Sequence, residues 1–144
     1  MRAWTALLRA HATATRSLST SLEAEQGLTL NDYEALRVLA EAEGRRLKRV
    51  ELARRLVLTP SGVTRLLEGL EAAGLVERAS CDTDLRVTYA QLTGPGARRL
   101  EAASCGHVGS VRTLLEGSLS DDEIDQLAAL LERLSSPVRL AVPR

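Results

Sequence analysis

The sequence predicts a mainly α-helical protein with a small β-hairpin wing, a winged helix-turn-helix flanked by long dimerisation helices. Apolar residues make up 44% of the chain, but only 2% are aromatic and Phe is absent. A core of Leu, Val and Ala favours packed helices over a β-sandwich. Apolar residues also recur at helical spacing, and in the middle of the chain two short helices precede two strands.

The N-terminal part is predicted to contain three helices. Residues 3–25 form a long amphipathic helix, and a second helix runs from about Asn31, a good N-cap, to Ala42. Residues 46–48 are too short to assign, and a short helix follows at 49–56. The side chains that this short helix is expected to bury are Val50, Leu52, Ala53 and Leu56.

The next helix, residues 59–73, has clear boundaries. The Thr59 hydroxyl can cap it, and Pro60 at the first helical position loses no hydrogen bond that it needed. Gly74 ends the helix. Its predicted buried face comprises Val63, Leu66, Leu67 and Leu70.

The C-terminal part is predicted to begin with a β-hairpin. Residues 75–78 and 87–92 are strands, and a Thr93–Gly96 turn leads into a long helix at about 97–116. Ser120 caps a last helix. The predicted organisation is a helical dimerisation region (1–28 and 97–136), a winged helix-turn-helix lobe (29–96) and a flexible tail (137–144).

Charge is unevenly distributed although the chain is neutral overall. The segment from position 45 to position 65 contains seven basic residues and a single acid, Glu51. A charge run is usually a solvated face, but this one coincides with the two short helices. The basic residues are Arg45, Arg46, Lys48, Arg49, Arg54, Arg55 and Arg65.

The outward face of helix 59–73 suits entry into the major groove of DNA. Ser61 and Thr64 can hydrogen-bond phosphates or base edges, Gly62 permits close approach, and Arg65 can fork onto guanine O6 and N7. The basic Lys48 and Arg49 are further candidate contacts. An ordinary amphipathic helix would share the small polar face, but not the basic run and hairpin around it.

The predicted hairpin tip carries Asp84 and Arg86. An arginine there can enter the narrow minor groove, and a carboxylate two residues earlier can orient its guanidinium. A solvated turn would explain the tip equally well.

These motifs together resemble the MarR (multiple antibiotic resistance regulator) family. The resemblance lies in the runs ELARRL (51–56), LTPSGVTRLL (58–67) and LEAAGLVER (70–78), and in the DLR at 84–86. It implies a homodimeric transcription regulator, usually a repressor, whose first, fifth and sixth helices interlock. It also implies that Ser61, Thr64 and Arg65 face a pseudo-palindromic double-stranded DNA operator and that Asp84 orients Arg86.

Two positions depart from the family pattern. Lys48 stands where a Ser or Thr often caps the preceding helix, which suggests a phosphate contact instead of a cap. Cys81 stands where many members have an acid. Neither change argues against DNA binding.

Members of this family commonly respond to small phenolic or aromatic-acid ligands. The candidate ligand-binding residues here are His11, Tyr33 and Arg37, with Arg16 a weaker one. Alternatively, Tyr33 fills the core and Arg37 lies in solvent.

Other functions are less well supported. Oxidation of Cys81 or Cys105 could sense redox state in the same fold, and a winged helix without DNA binding could serve protein interactions. No phosphate loop, nucleophile elbow or zinc spacing indicates an enzyme, a metal or another cofactor. Without a signal peptide or membrane span, we expect a cytoplasmic protein that makes no membrane contact.

Overall fold

A computed structural model describes residues 1–80 and 88–135 of the chain. It confirms the predicted fold class, because helices account for most of the described chain and three short strands form one small sheet. The elements are α1 (Arg2–Gln26), α2 (Leu30–Glu41), a 3-10 turn (Glu43–Arg45), β1 (Arg46–Lys48), α3 (Arg49–Leu56), α4 (Pro60–Ala72), β2 (Val76–Ser80), β3 (Thr88–Leu92), α5 (Gly94–Glu116) and α6 (Asp121–Ser135).

The sheet is antiparallel, with the strands in the order β1-β3-β2. The segment left unassigned from sequence is strand β1, in which Leu47 lies opposite Ala90. Strand β2 pairs with the other side of β3, where Val76 lies opposite Leu92. Strand β1 thus joins the start of the helix-turn-helix to the strands that lead to the wing.

The chain divides into two compact units, residues 1–108 and 109–144. The first unit contains the hydrophobic core, centred on the fully buried Leu36, Leu39, Leu52, Val63 and Leu67. The second contains the end of α5 and helix α6, and no side chain in residues 109–135 is buried.

Helix α2 starts two residues earlier than predicted, because Thr29 and not Asn31 is its N-cap. The Thr29 hydroxyl accepts a hydrogen bond from the Asp32 backbone N–H at 3.1 Å. The Asp32 carboxylate in turn accepts one from the Thr29 N–H at 2.9 Å. This reciprocal capping box satisfies two otherwise unpaired groups, which Asn31 alone would not do.

Helix α5 also starts earlier than predicted, so the expected turn at 94–96 is its first turn. The Thr93 hydroxyl caps it by accepting from the Gly96 N–H at 3.0 Å. The same hydroxyl donates to the Gly74 carbonyl at 2.7 Å, just after α4. A single side chain therefore joins the end of α4 to the start of α5.

Burial of helix α3 follows the prediction for Leu52 but not for Val50. Leu52 is fully buried, Ala53 and Leu56 are half-buried, and Val50 is 74% exposed. Each helical residue advances about 100°, so a side chain two positions before Leu52 points away from the core. The prediction that Val50 is buried was wrong for this reason.

Candidate nucleic-acid interface

Helix α4 is anchored by its apolar face and by a cap at its first turn. Val63, Leu67 and Leu70 are buried and Leu66 is half-buried. The predicted cap is present, since the Thr59 hydroxyl accepts from the Gly62 N–H at 3.1 Å and Pro60 occupies the first helical position. The N-terminal edge of the helix is therefore fixed relative to the core.

That edge presents the four predicted DNA-facing residues to different degrees. Ser61 and Arg65 are exposed, whereas Gly62 and Thr64 are half-buried. The Thr64 hydroxyl donates to the Pro60 carbonyl at 2.9 Å, so it is left to act as an acceptor. The Ser61 hydroxyl lies 3.2 Å from that of Thr59. Arg65 is thus the one long cationic side chain among the four.

Glycine at position 62 has a structural reason as well. A Cβ atom there would lie 3.2 Å from the Thr59 hydroxyl oxygen. This is closer than most Cβ contacts, so a larger residue would press on the N-cap. Glycine at position 62 therefore protects the helix start, whatever its role in the close approach predicted from the sequence.

The cations beside α4 belong largely to helix α3. The single acid, Glu51, accepts from Arg54 at 3.0 Å and from Arg55 at 3.1 Å. Exposed pairs of this kind contribute only about 0.3–0.5 kcal/mol. Each guanidinium also keeps further N–H donors, so both arginines can still bind an anion.

Lys48 and Arg49 lie where strand β1 passes directly into α3. Lys48 is exposed and makes no side-chain cap to α3, as its departure from the family pattern predicted. Arg49 is half-buried, and its Nη2 atom is buried without a hydrogen-bond partner among the described residues. Lys48 is therefore the more accessible of the two cations.

The predicted wing contacts Asp84 and Arg86 lie outside the described residues, as do Cys81 and the tail 137–144. Strand β2, which leads to the predicted wing, is held against α4. The Arg78 Nε donates to both carboxylate oxygens of Glu71, at 3.0 and 2.8 Å. This pair connects strand β2 with the helix whose N-terminal edge is described above.

The three candidate ligand-binding residues have separate environments. Tyr33 is only 4% exposed, and its ring lies 4.4 Å from that of His107. Arg37 bonds Glu34 and Glu41, both at 2.8 Å. The hydrogen bond that Arg37 donates to the Glu34 carboxylate is the main reason why the pKa of Arg37 is raised. His11 is exposed on α1.

His107 is a neighbour of Tyr33 that the sequence did not indicate. Burial lowers its pKa, against a smaller opposing effect of the Glu34 carboxylate. Its Nδ1 atom has no partner among the described residues. The neutral imidazole is therefore favoured at this position.

Two of the cavities that the described residues line belong to the first unit. The smaller, about 320 Å³, is lined by Gly69 and Leu70 of α4, by the C-cap Ala73 and by Arg99 of α5. The larger, about 740 Å³, combines two carboxylates, Glu41 and Glu43, with the guanidinium groups of Arg46 and Arg55. Sequence reasoning missed Arg99, because only the fold brings it next to α4.

A capped helix with an exposed polar edge, a preceding basic helix and a three-stranded sheet define a winged helix-turn-helix protein. Residues 26–86 match the MarR family model. The chain is 36% identical over 116 residues to the HTH-type transcriptional repressor YetL of Bacillus subtilis, covering 78% of this chain and 69% of the relative. The chain belongs to the MarR family of transcriptional regulators, and its relatives are regulators and not enzymes.

Solved structures agree with this assignment. AbsC of Streptomyces coelicolor, a MarR family transcriptional regulator, superposes with a TM-score of 0.83 at 32% identity and covers 92% of this chain and 89% of its own. Sco3205 of the same organism, solved in complex with DNA, has a TM-score of 0.86 at 27% identity and covers 98% and 91%. Both likenesses extend over nearly the whole chain.

Within residues 1–80 and 88–135, no helix is long and apolar enough to cross a membrane. Cys105 is an exposed free thiol on α5.

Proposed function

We propose that this protein is a homodimeric repressor that binds a pseudo-palindromic DNA operator and is released by a small-molecule effector. Helix α4 enters the major groove with Ser61, Gly62, Thr64 and Arg65. Lys48 and Arg49 bind phosphates. The wing residue Arg86, oriented by Asp84, enters the minor groove. The two half-sites lie about one helical turn, roughly 10 bp, apart.

The observation that carries this proposal is the N-terminal edge of α4. Its apolar face is buried while Ser61 and Arg65 of the first turns remain exposed. Short hydroxyls and one arginine at a helix N-terminus match the donor and acceptor pattern of base edges and phosphates. The basic side chains of α3 beside it favour association with the phosphate backbone.

The direct test measures binding by fluorescence anisotropy to a duplex that the protein itself selects from a randomised library. We expect Arg65→Ala to cost about 1–3 kcal/mol and to relax preference at one base pair per half-site. Arg98→Ala, which removes an exposed arginine from α5, is the matched control and should bind normally. Equal losses in the two variants would refute the assignment of Arg65.

Lys48 has a different expected signature. Because it contacts phosphate and not bases, Lys48→Ala should weaken binding to all duplexes alike. The slope of log K against log salt should fall by about one unit. A change of base preference in this variant would contradict a phosphate role.

Homodimerisation is supported by apolar helix faces that remain uncovered in the single chain. On α1, Trp4 is 59% exposed and Leu8 is also exposed. On α6, Leu134 is 65% exposed, and Leu127, Leu130 and Leu131 are exposed as well. Each unit thus has a helix face that a second copy would cover.

Sedimentation equilibrium tests this part of the proposal. The wild-type protein should have the mass of a dimer, and Leu130→Glu should dissociate it because the charge would have to be buried at the interface. Glu132→Gln on the same helix is the control and should leave the dimer intact. A monomeric wild-type protein that still selects a duplex would refute the proposed homodimer and leave the proposed DNA binding intact.

Effector response is supported by the smaller cavity and not by the three residues chosen from sequence. Arg37 is already paired with two carboxylates. Arg99 donates one hydrogen bond to the Gln26 carbonyl and keeps further N–H donors, and it lines a cavity of about 320 Å³ that also touches α4. A cavity of this size suits a small aromatic acid, and an arginine can hold its carboxylate. Binding there would act on the helix that reads DNA.

A thermal-shift screen with benzoic, phenylacetic and hydroxybenzoic acids tests the effector. A Cβ at Gly69 would meet no atom within 4 Å, so a side chain can start there, and Gly69→Leu is designed to occupy the cavity. We expect a stabilising acid to lose its effect in Gly69→Leu and to keep most of it in Gly69→Ala. An acid that stabilises both variants equally binds elsewhere.

A further inference from the structure

The turn between α3 and α4 contains a residue in a conformation that its side chain disfavours. Val57 has φ 54° and ψ 38°, which is the left-handed helical region. The turn requires this geometry: the Leu58 N–H donates to the Ala53 carbonyl at 3.0 Å, and the Val57 N–H donates to the Arg54 carbonyl at 3.3 Å. Glycine or asparagine usually occupies such a position, and a β-branched residue there is an outlier.

The side chain of Val57 does not offset this conformational cost by packing against the described residues. It is 90% exposed, the largest exposure of any valine or leucine among the exposed large hydrophobic residues. Its neighbour Leu58, by contrast, packs against the core. The turn needs the left-handed backbone but not a valine in it, and residues held in such disfavoured conformations cluster at functional positions.

The surroundings of Val57 identify that bound state. It lies two residues before Thr59, the N-cap of α4, and it follows the exposed Arg54 and Arg55. A partner that fits here must offer anionic groups for the arginines and an apolar group for the isopropyl side chain. The major groove of DNA offers both, because phosphates flank it and the thymine 5-methyl is its apolar contact group.

We propose that Val57 is a specificity-determining residue that contacts a thymine methyl group in each half-site. This inference rests on the proposed DNA binding of α4 and adds an apolar contact to its polar edge. Val57 then selects thymine through its methyl group and not through a hydrogen bond. The conformational cost of a valine in the turn is offset only when the protein is on its operator.

The test removes the methyl groups from either side of the contact. Each thymine of the selected duplex is replaced in turn by deoxyuridine, and affinity is measured for the wild type, Val57→Gly and Val57→Ala. We expect the wild type to lose roughly three- to tenfold affinity at one thymine per half-site, the effect of one or two methyl contacts. Both variants should bind the unmodified duplex about that much more weakly and ignore the deoxyuridine replacement.

A melting curve of each free protein separates this role from a structural one. Val57→Gly should melt at or above the wild-type temperature, since glycine tolerates the left-handed conformation. Weaker DNA binding by a protein of undiminished stability supports the contact. The inference is overturned if both variants bind both duplexes as the wild type does, or if they remain as sensitive to deoxyuridine as the wild type. If the wild-type protein selects no duplex at all, it is the proposed function that fails.

Discussion

Replacing Gly96 with alanine should destabilise the protein through a clash at the start of α5. A Cβ at this position would lie 2.1 Å from the Leu75 carbonyl oxygen and 2.8 Å from Cδ1 of Leu92. The first contact is with backbone, which cannot rotate away as a flexible side chain can. Either the turn after α4 or the first turn of α5 must move by about 1 Å to restore ordinary contact distances.

Two opposing effects set the expected magnitude. Alanine favours a helix over glycine by about 1 kcal/mol, and Gly96 has no left-handed φ that would penalise the change. Overpacking of a buried position typically costs about 1–3 kcal/mol, and a backbone clash belongs at the upper end. We therefore expect a net loss of about 2 kcal/mol, which lowers the urea midpoint by roughly 1 M.

Gly94 provides the matched control, because it lies in the same turn and its Cβ would meet only Arg98 at 3.6 Å. Urea unfolding followed by circular dichroism at fixed protein concentration should show Gly94→Ala at or above wild-type stability. If Gly96→Ala is as stable as Gly94→Ala, the close approach of α5 to the α4–β2 turn does not require a glycine at position 96.

Three further predictions concern caps and titrating groups. Thr93→Val keeps the shape but removes both hydroxyl hydrogen bonds, so it should cost about 1–2 kcal/mol in urea unfolding, whereas Thr93→Ser should retain most of the stability. The pKa of His107 is lowered mainly by burial, so its protonation opposes folding. The melting temperature should therefore fall as the pH drops below 6.5, and it should fall less in the His107→Gln variant. Hydrogen bonds from Ser120, chiefly from its backbone N–H, lower the pKa of Glu123. The stability that ionised Glu123 gives to α6 should therefore be present above the usual carboxyl pKa and be lost as the pH falls through the lowered pKa. Helicity at 222 nm should therefore drop further on acidification in the wild type than in Glu123→Gln.

The features that the sequence predicted well are local ones. Thr59, Pro60 and Gly74 mark the ends of α4 through their own side-chain or backbone chemistry, and the structure places all three as expected. The outward position of Ser61 and Arg65 follows from helical periodicity once the apolar face is known. These positions required no knowledge of the rest of the fold.

The features that the sequence did not predict depend on residues far apart in the chain. Strand β1 has only three residues and becomes recognisable through its pairing with β3, about 40 positions later. The role of Thr93 depends on the Gly74 carbonyl, and the place of Arg99 depends on the fold that brings residues of α4 and α5 around one cavity. Tyr33 is a candidate ligand-binding residue by sequence, but its ring lies against His107 and its hydroxyl donates to Ser104, both on α5.

The direct passage from strand β1 into helix α3 sets a limit on how this region can change length. Lys48 is both the last residue of the strand and the N-cap of the helix, so no linker separates them. One residue inserted there would rotate α3 by about 100° about its axis or shift β1 against β3. We therefore expect homologous chains to vary in length elsewhere, and insertion libraries to recover no functional clones at this junction.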